Sequence, residues 1–293
     1  MEIRHAGRTY SLRGWIPSKY KKHETALESA RCFLFDATDT EVPEDTSTLP
    51  DRVDLREHFP PVYDQGHIGS CTAQTAAAAL EYYQRRWYEQ NTGSSWSRTP
   101  SRLFIYKHSR ILMGTPQGDV GSSIKDTMRA LHRFGAPEED PKFGTEYNPN
   151  RFDRDYDVYV YGLADEFSID SWYNYEEQYR KQGKVLGDLK KHLAAGQPIL
   201  FGFLVYRKAI EQAADNGFIE PPGADDVLAG GHAVLAVGYD DRKEALVIRN
   251  SWGEDWGDGG YGYLSYRYLD LNLASDFWSI VHIPLFSEID FED

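Results

Sequence analysis

The stretch YDQGHIGSCTAQTAAAALEYY, Tyr63 to Tyr83, sets one of the chain's two cysteines directly ahead of an alanine-rich helical pattern. A cysteine in the first turn of a helix faces the positive end of the macrodipole and several unpaired backbone N–H groups, both of which favour thiolate over thiol. The position of Cys71 therefore predicts a lowered pKa. Gly66 and Gly69 let the backbone turn sharply before the helix, and Gln65, six residues ahead, is placed to offer an amide donor to whatever Cys71 attacks. The alternative is a small buried packing residue.

A thiolate nucleophile needs an imidazole to pair with it and to protonate the leaving amine, and a further group to orient that imidazole. His232 lies in AGGHAVLAVGYDD, where two glycines open the backbone just before a strand pattern, so its ring can project from a strand end into a cleft. Eighteen positions on (250 − 232), VIRNSWGEDWGDGGYGY puts Asn250 at the end of the next strand. In an antiparallel pair its side-chain oxygen would reach the far nitrogen of His232, with Trp252 shielding that bond from water. A histidine packed in a strand and a glycine-rich aromatic loop are the structural alternatives for these two segments.

The patterning divides the chain. Helical periodicity spans roughly Thr72–Glu89, Ser101–Leu112, Ser122–Phe134 and Lys184–Ala195. The second half changes period: PILFGFLVY, GHAVLAVGYD, EALVIRNSW and GYGYLSY are short runs rich in Val, Ile, Leu and Tyr bounded by Gly, Asp and Asn, the signature of strands. These patterns predict an α+β body with a helical lobe, an antiparallel sheet or barrel, and a cleft between them.

The residues resemble the papain-like cysteine peptidase family across nearly all of Arg52–Pro284, through DLREHFPPVYDQGHIGSC, GGHAVLAVGYD and RNSWGEDWGDGGYG in that order. The resemblance implies the papain-like two-lobe fold: residues 51–165 as a helical lobe carrying the cysteine, and residues 166–293 as an antiparallel β-barrel-like lobe carrying histidine and asparagine. It implies a thiol protease in which Cys71 is the nucleophile, His232 its acid–base partner, Asn250 the orienter, Gln65 an oxyanion donor and Trp252 a shield. It also implies that Gly69, Gly121, Ser122 and Gly231 line the path of a bound peptide, Gly121-Ser122 standing where the family has a Gly-Gly pair. Ser122 or Ser123 is equally suited to cap a helix. Ile68 stands where the family often has a disulfide-forming cysteine, and Thr72 where an aromatic usually follows the nucleophile, which points to a disulfide-free, bacterial-type branch. The Cys-to-His spacing of 161 (232 − 71) exceeds the family's usual roughly 130–150, and RKAIEQAADNGFIEPPGADDVLAG before His232 is where an extra loop is expected.

The first 50 residues are of another character: an apolar-basic patch at Tyr10–Pro17, a basic KYKKHE, a short helical pattern HETALESARCFLF, and the acidic, proline-containing DATDTEVPEDTSTLP. They read as an inhibitory, propeptide-like arm, with YSLRGWIP or RCFLF across the cleft, joined by an exposed linker open to processing. Cys32 in that arm is placed either to pack the CFLF patch or to cap Cys71 as a reversible disulfide.

The chemistry calls for a peptide or protein substrate and no metal or organic cofactor. The net charge of −14, with no cluster of Lys and Arg, argues against nucleic acid. The N-terminus lacks an apolar signal-like run and no stretch of about 18 apolar residues occurs, so no membrane partner is expected. With two cysteines only, a cytoplasmic location is expected. Two other functions share these residues: a catalytically silent peptide-binding module of the same fold, and an acyl-transferring, transglutaminase-like enzyme.

Overall fold

Alanine content decides how the helical part sits on the sheet. In the computed structural model, which describes residues 2–5, 7–18, 42, 46–175 and 185–283, the first long helix, α1 (Cys71–Thr92), is buried on all sides from Cys71 to Gln84. Ala73, Ala76, Ala77, Ala78 and Ala79 are all buried. Side chains this short let a helix approach neighbouring backbone closely, and the helix ends where Gly93, at φ +67°, takes the left-handed turn that closes its last carbonyls. Two shorter helices pack beside it, α2 (Arg102–Met113), capped by the Ser101 side chain, and α3 (Ile124–Phe134), capped by Ser123. Ser123, not Ser122, is the cap. The remaining α-helices among the described residues are α4 (Val158–Gly162), α5 (Val185–Ala194), α6 (Arg207–Gln212) and α7 (Arg267–Asp270). None is long and apolar enough to cross a membrane.

An N-terminal hairpin, β1 (Glu2–His5) and β2 (Arg8–Ser11), forms a separate two-stranded sheet among the described residues. The main sheet contains β3 (Arg52–Asp54), β4 (Ser171–Asn174), β5 (Ile199–Tyr206), β6 (Phe218–Ile219), β7 (Leu228–Asp240), β8 (Ala245–Arg249), β9 (Tyr261–Ser265) and β10 (Ala274–His282), in the order β4-β10-β5-β7-β8-β9-β6, with β3 also on β7. Its pairings are antiparallel except β6 with β9. The sheet is open: β6, two residues long and parallel to its neighbour, leaves no strand to close on β4 among the described residues. The α+β class therefore holds without a closed barrel. The segment expected as an extra loop before His232 contains α6 and β6.

The period of two along the strands sorts their side chains into two cores. Ala233, Leu235 and Val237 of β7, Leu200 of β5 and Val247 of β8 join the helical core with α1 to α3. Their alternates, Val234, Ala236, Phe201, Phe203, Leu246 and Ile248, face the other side with Trp252, Trp256 and Tyr268. Ile3, Tyr10 and Leu12 of the N-terminal segment complete this second core. The helical pattern expected over HETALESARCFLF, RCFLF within it, and most of the acidic linker lie outside the described residues.

Because α1 fills its site with alanines, it has no room to grow. Ala77→Leu, at a position with no exposed surface, is expected to cost about 1–3 kcal/mol through overpacking, read as a lower urea midpoint with an unchanged slope.

Candidate active site

Helix α1 delivers Cys71 at its first residue, against β7. The Cys71 Sγ accepts the N–H of Ala233 at 3.4 Å, and Thr75, one turn into the helix, donates its hydroxyl to the Cys71 carbonyl at 2.7 Å. Helix and strand thus meet at the residue beside His232. The His232 ring bonds Asn250 at 2.8 Å between Nε2 and Oδ1. Since that oxygen accepts, Nε2 carries the proton and Nδ1 is left with a lone pair. Nδ1 is buried and has no hydrogen-bond partner among the described residues.

Asn250 follows directly on β8, held by its own N–H to Gly260 and by the Ser251 N–H on its Oδ1. Trp252 stacks on the His232 ring, centroids 4.6 Å apart and planes 25° from parallel. Ser251 also reaches back: its hydroxyl donates to Gln65 Oε1 at 2.7 Å, its carbonyl accepts the Gln65 N–H, and Gln65 Nε2 donates to the Ile68 carbonyl at 2.9 Å. One site therefore gathers Gln65, Cys71, His232, Asn250 and Trp252 from three separated segments.

Three residues escaped the sequence reading. Asp119, two positions before Gly121, accepts the Gly69 N–H at 2.8 Å and the Tyr106 hydroxyl at 2.6 Å, both on Oδ1, while the same hydroxyl accepts the Gly121 N–H at 3.0 Å. This chain of bonds ties the loop before Cys71 to the Gly121-Ser122 segment, beside Ile68. The second is Gly14. Residues 10–17, YSLRGWIP, run along the cleft: Gly231 donates to the Leu12 carbonyl, Ser122 donates to the Gly14 carbonyl and accepts from the Ile16 N–H. A Cβ on Gly14 would stand 2.4 Å from Cys71 Sγ, so only glycine fits there. Gly69, Gly121, Ser122 and Gly231 all lie against this segment. The third is Asp276, which holds Trp15 and Ser18. Cys71 carries no disulfide, and Cys32 lies outside the described residues.

Under this cover Cys71, His232, Gln65 and Trp252 have no exposed surface. Burial pushes the Cys71 thiol up to about 12, against the help of the N–H groups of Ala233, Thr72 and Cys71 itself, and pushes His232 down to about 4, against the help of Asn250. The lowered cysteine pKa that the helix terminus predicts is thus reversed. A helix terminus and a few N–H donors contribute less than desolvation costs a thiolate in a closed site.

The fold is that of a thiol peptidase. A family model described as papain family cysteine protease matches residues 159–276. An uncharacterized peptidase C1-like protein of Acanthamoeba polyphaga mimivirus is 32% identical over 238 residues, covering 78% of this chain and 73% of its own length. A cathepsin L-like peptidase of Aedes aegypti is 26% identical over 228 residues, covering 73% of this chain, which spans 58% of that relative. The crystal structure of xylellain, a cysteine protease from Xylella fastidiosa, superposes with a TM-score of 0.72 at 32% identity, over 96% of this chain and 99% of that one. The chain belongs to the papain family of cysteine peptidases.

Two outcomes follow from this geometry. With the folded His232 below its ordinary 6.5 and Cys71 above its ordinary 9.0, the folded form binds fewer protons than the unfolded chain below 6.5 and more above 9.0. Stability from this pair is therefore full between those values, lost as pH falls through 6.5 towards 4, and lost again as pH rises past 9. Urea titrations against pH should show both falls, the acid one flattened in His232→Gln and the alkaline one in Cys71→Ala. Asp119→Ala strands two donors and should lower unfolding free energy by about 1–3 kcal/mol, measured by denaturant titration.

Proposed function

We propose that the chain hydrolyses peptide bonds with Cys71 as nucleophile and His232 as acid and base, and that residues 10–17 hold it closed until they are displaced. The observation that carries this reading is the His232 ring: Asn250 occupies Nε2, and Nδ1 is left partnerless in a sealed site whose next residue, Ala233, touches Cys71 Sγ.

With the arm gone and the site hydrated, the Cys71 proton passes to Nδ1. The thiolate attacks the scissile carbonyl carbon, a C–S bond forms, and charge collects on the carbonyl oxygen. Two donors suit that oxygen, the Cys71 N–H at the unpaired start of α1 and the second N–H of Gln65 Nε2, whose first is used on Ile68. As the C–N bond breaks, Nδ1–H protonates the departing amine. Water then gives a proton to Nδ1 and attacks the thioester, releasing the acid and restoring the thiol. Asn250 keeps the ring in the tautomer that exposes Nδ1, and Trp252 keeps water from competing for Nε2.

Gly14 supports the restraint. It fills the space above Sγ that an acyl group would need, and the neighbouring carbonyls of Leu12 and Gly14 occupy the N–H groups of Gly231 and Ser122 that would hold a substrate backbone.

Gly14→Ala in the full chain places a methyl against Sγ and should lift the arm, raising the rate of Cys71 alkylation by iodoacetamide at least about tenfold, since steric overlap of that size costs more than ~1.4 kcal/mol. The same variant should cleave a peptide mixture, with cleavage absent when Cys71→Ala is added. A Gly14→Ala chain that alkylates fast yet leaves every peptide intact would return the protein to the silent binding module. Products joined to an added amine would instead favour acyl transfer.

A further inference from the structure

The segment that carries Gln65 and the residue just before α1 are held by one side chain from the loop GTEYNPN. Tyr147 donates its hydroxyl to the Gln65 carbonyl at 2.9 Å and shares a second hydrogen bond, 2.8 Å long, with the Ser70 hydroxyl. A phenol has one proton. Since that proton goes to Gln65, Ser70 is the donor to Tyr147, and Ser70 accepts in turn from Gln74 Nε2 at 3.0 Å. Gln74 Oε1 accepts from Arg102 Nη1, also at 3.0 Å. The bonds therefore run one way, from Arg102 through Gln74, Ser70 and Tyr147 to Gln65. Gln65, Ser70 and Gln74 are buried, so a lost partner leaves its neighbour desolvated and unpaired.

Arg102 fixes the start of this chain. Its Nε and Nη2 bond the two oxygens of Glu139 at 2.7 and 2.9 Å, and its guanidinium lies over the rings of Tyr63 and Tyr147, 4.3 and 4.1 Å from their centroids. The Tyr147 ring is thus set by a cation on its face, and its hydroxyl by two bonds. Ser70 departs from the usual behaviour of a serine at its position. It is the N-cap of α1, where a serine ordinarily accepts from the helix's first N–H groups, as Ser101 and Ser123 do for α2 and α3. The Ser70 side chain makes no such bond, because its oxygen accepts from Gln74 and its proton goes to Tyr147. The N–H groups that open α1, that of Cys71 among them, are left without a side-chain cap.

We infer that Tyr147, placed by Arg102, is a positioning residue for the oxyanion site. It keeps Gln65 and the Cys71 N–H at a set separation and keeps the Ser70 hydroxyl off the helix start. The inference rests on the proposed chemistry at Cys71, in which those two donors receive the carbonyl oxygen. Tyr147 acts through Gln65 and Ser70, and a misplacement of about 1 Å in such a pair costs on the order of a hundredfold in rate.

The test is Tyr147→Phe, which keeps the ring against Arg102 and removes the hydroxyl, in the full chain opened by Gly14→Ala. Two reagents separate the oxyanion from the sulfur. Iodoacetamide is attacked at a saturated carbon and makes no oxyanion. Acetyl-leucyl-leucyl-norleucinal is attacked at a carbonyl: the Cys71 sulfur bonds the aldehyde carbon, the π pair moves onto oxygen, and the thiol proton passes to His232. The corresponding alcohol, acetyl-leucyl-leucyl-norleucinol, reports peptide binding without that adduct. Tyr147→Phe should weaken the aldehyde at least about tenfold and lower kcat for peptide cleavage by a similar factor. KM, alcohol affinity and alkylation rate should each stay within about twofold. With Gln65→Ala already present, adding Tyr147→Phe should cost the aldehyde a smaller factor than it does alone. Should Tyr147→Phe fail to fold, Ser70→Ala cuts the same chain on the other side and should show the same selective loss. Equal losses with the aldehyde, the alcohol and iodoacetamide overturn the proposal, as does an unchanged aldehyde affinity or a Gly14→Ala chain that forms no adduct. Cleavage indifferent to Tyr147→Phe overturns the positioning role and leaves the peptidase reading standing. Selective weakening of the aldehyde in a chain that cuts no peptide supports the positioning role and overturns the peptidase reading alone.

Discussion

The contact between the first turn of α1 and the strand β7 is what the rest of the molecule is arranged around. The Ala233 N–H on Cys71 Sγ and the Thr75 hydroxyl on the Cys71 carbonyl sit at that contact. It exists because α1 offers alanines and β7 offers Ala233, Leu235 and Val237 on alternate positions of one face. Bulkier side chains on either element would move the sulfur away from the imidazole. The placement of the sulfur is a consequence of core packing, since interiors as dense as this transmit a change of one methylene.

The segment lying over the site sets the chemistry of the residues beneath it. With Gly14 over the sulfur, water is excluded, and both Cys71 and His232 are driven towards their neutral forms. An N-terminal hairpin, anchored by Tyr10 stacked at 5.4 Å on Trp252 and hydrogen bonded to its carbonyl, brings the strand to the site. The indole that covers the histidine on one face is therefore also a seat for the arm. Residues far apart in the chain share one packing unit.

The four long helices and the strands β5, β7, β8 and β9 were legible because each concentrates apolar residues: α1 is buried all round and β5, β7 and β8 bury both faces, one in each core, so these segments read as dense apolar runs. The site was legible for another reason: Gly231 before His232, Asn250 at a strand end and Gln65 ahead of Cys71 are residue types that chemistry demands at those places. Strands such as Arg52–Asp54 and Phe218–Ile219 are too short to show a period. Asp119, Gly14 and Asp276 were not legible because each acts through a partner distant in sequence: Asp119 through Gly69, Gly14 through Cys71, Asp276 through Trp15. The direction of the cysteine's pKa shift was missed on the same ground. A helix terminus is visible in a sequence, and its burial by a residue 57 positions away (71 − 14) is not.

The bonds from Gly69 through Asp119 and Tyr106 to Gly121 hold together two walls beside the Cys71 sulfur. A cystine clasp in that place would offer a thiolate at Cys71 a sulfur to attack, scrambling the wall and consuming the free thiol by exchange. A carboxylate and a phenol offer no such target. Reductants that keep Cys71 as a thiol leave this clasp untouched, so the geometry of the cleft is insulated from the redox state of the sulfur it surrounds.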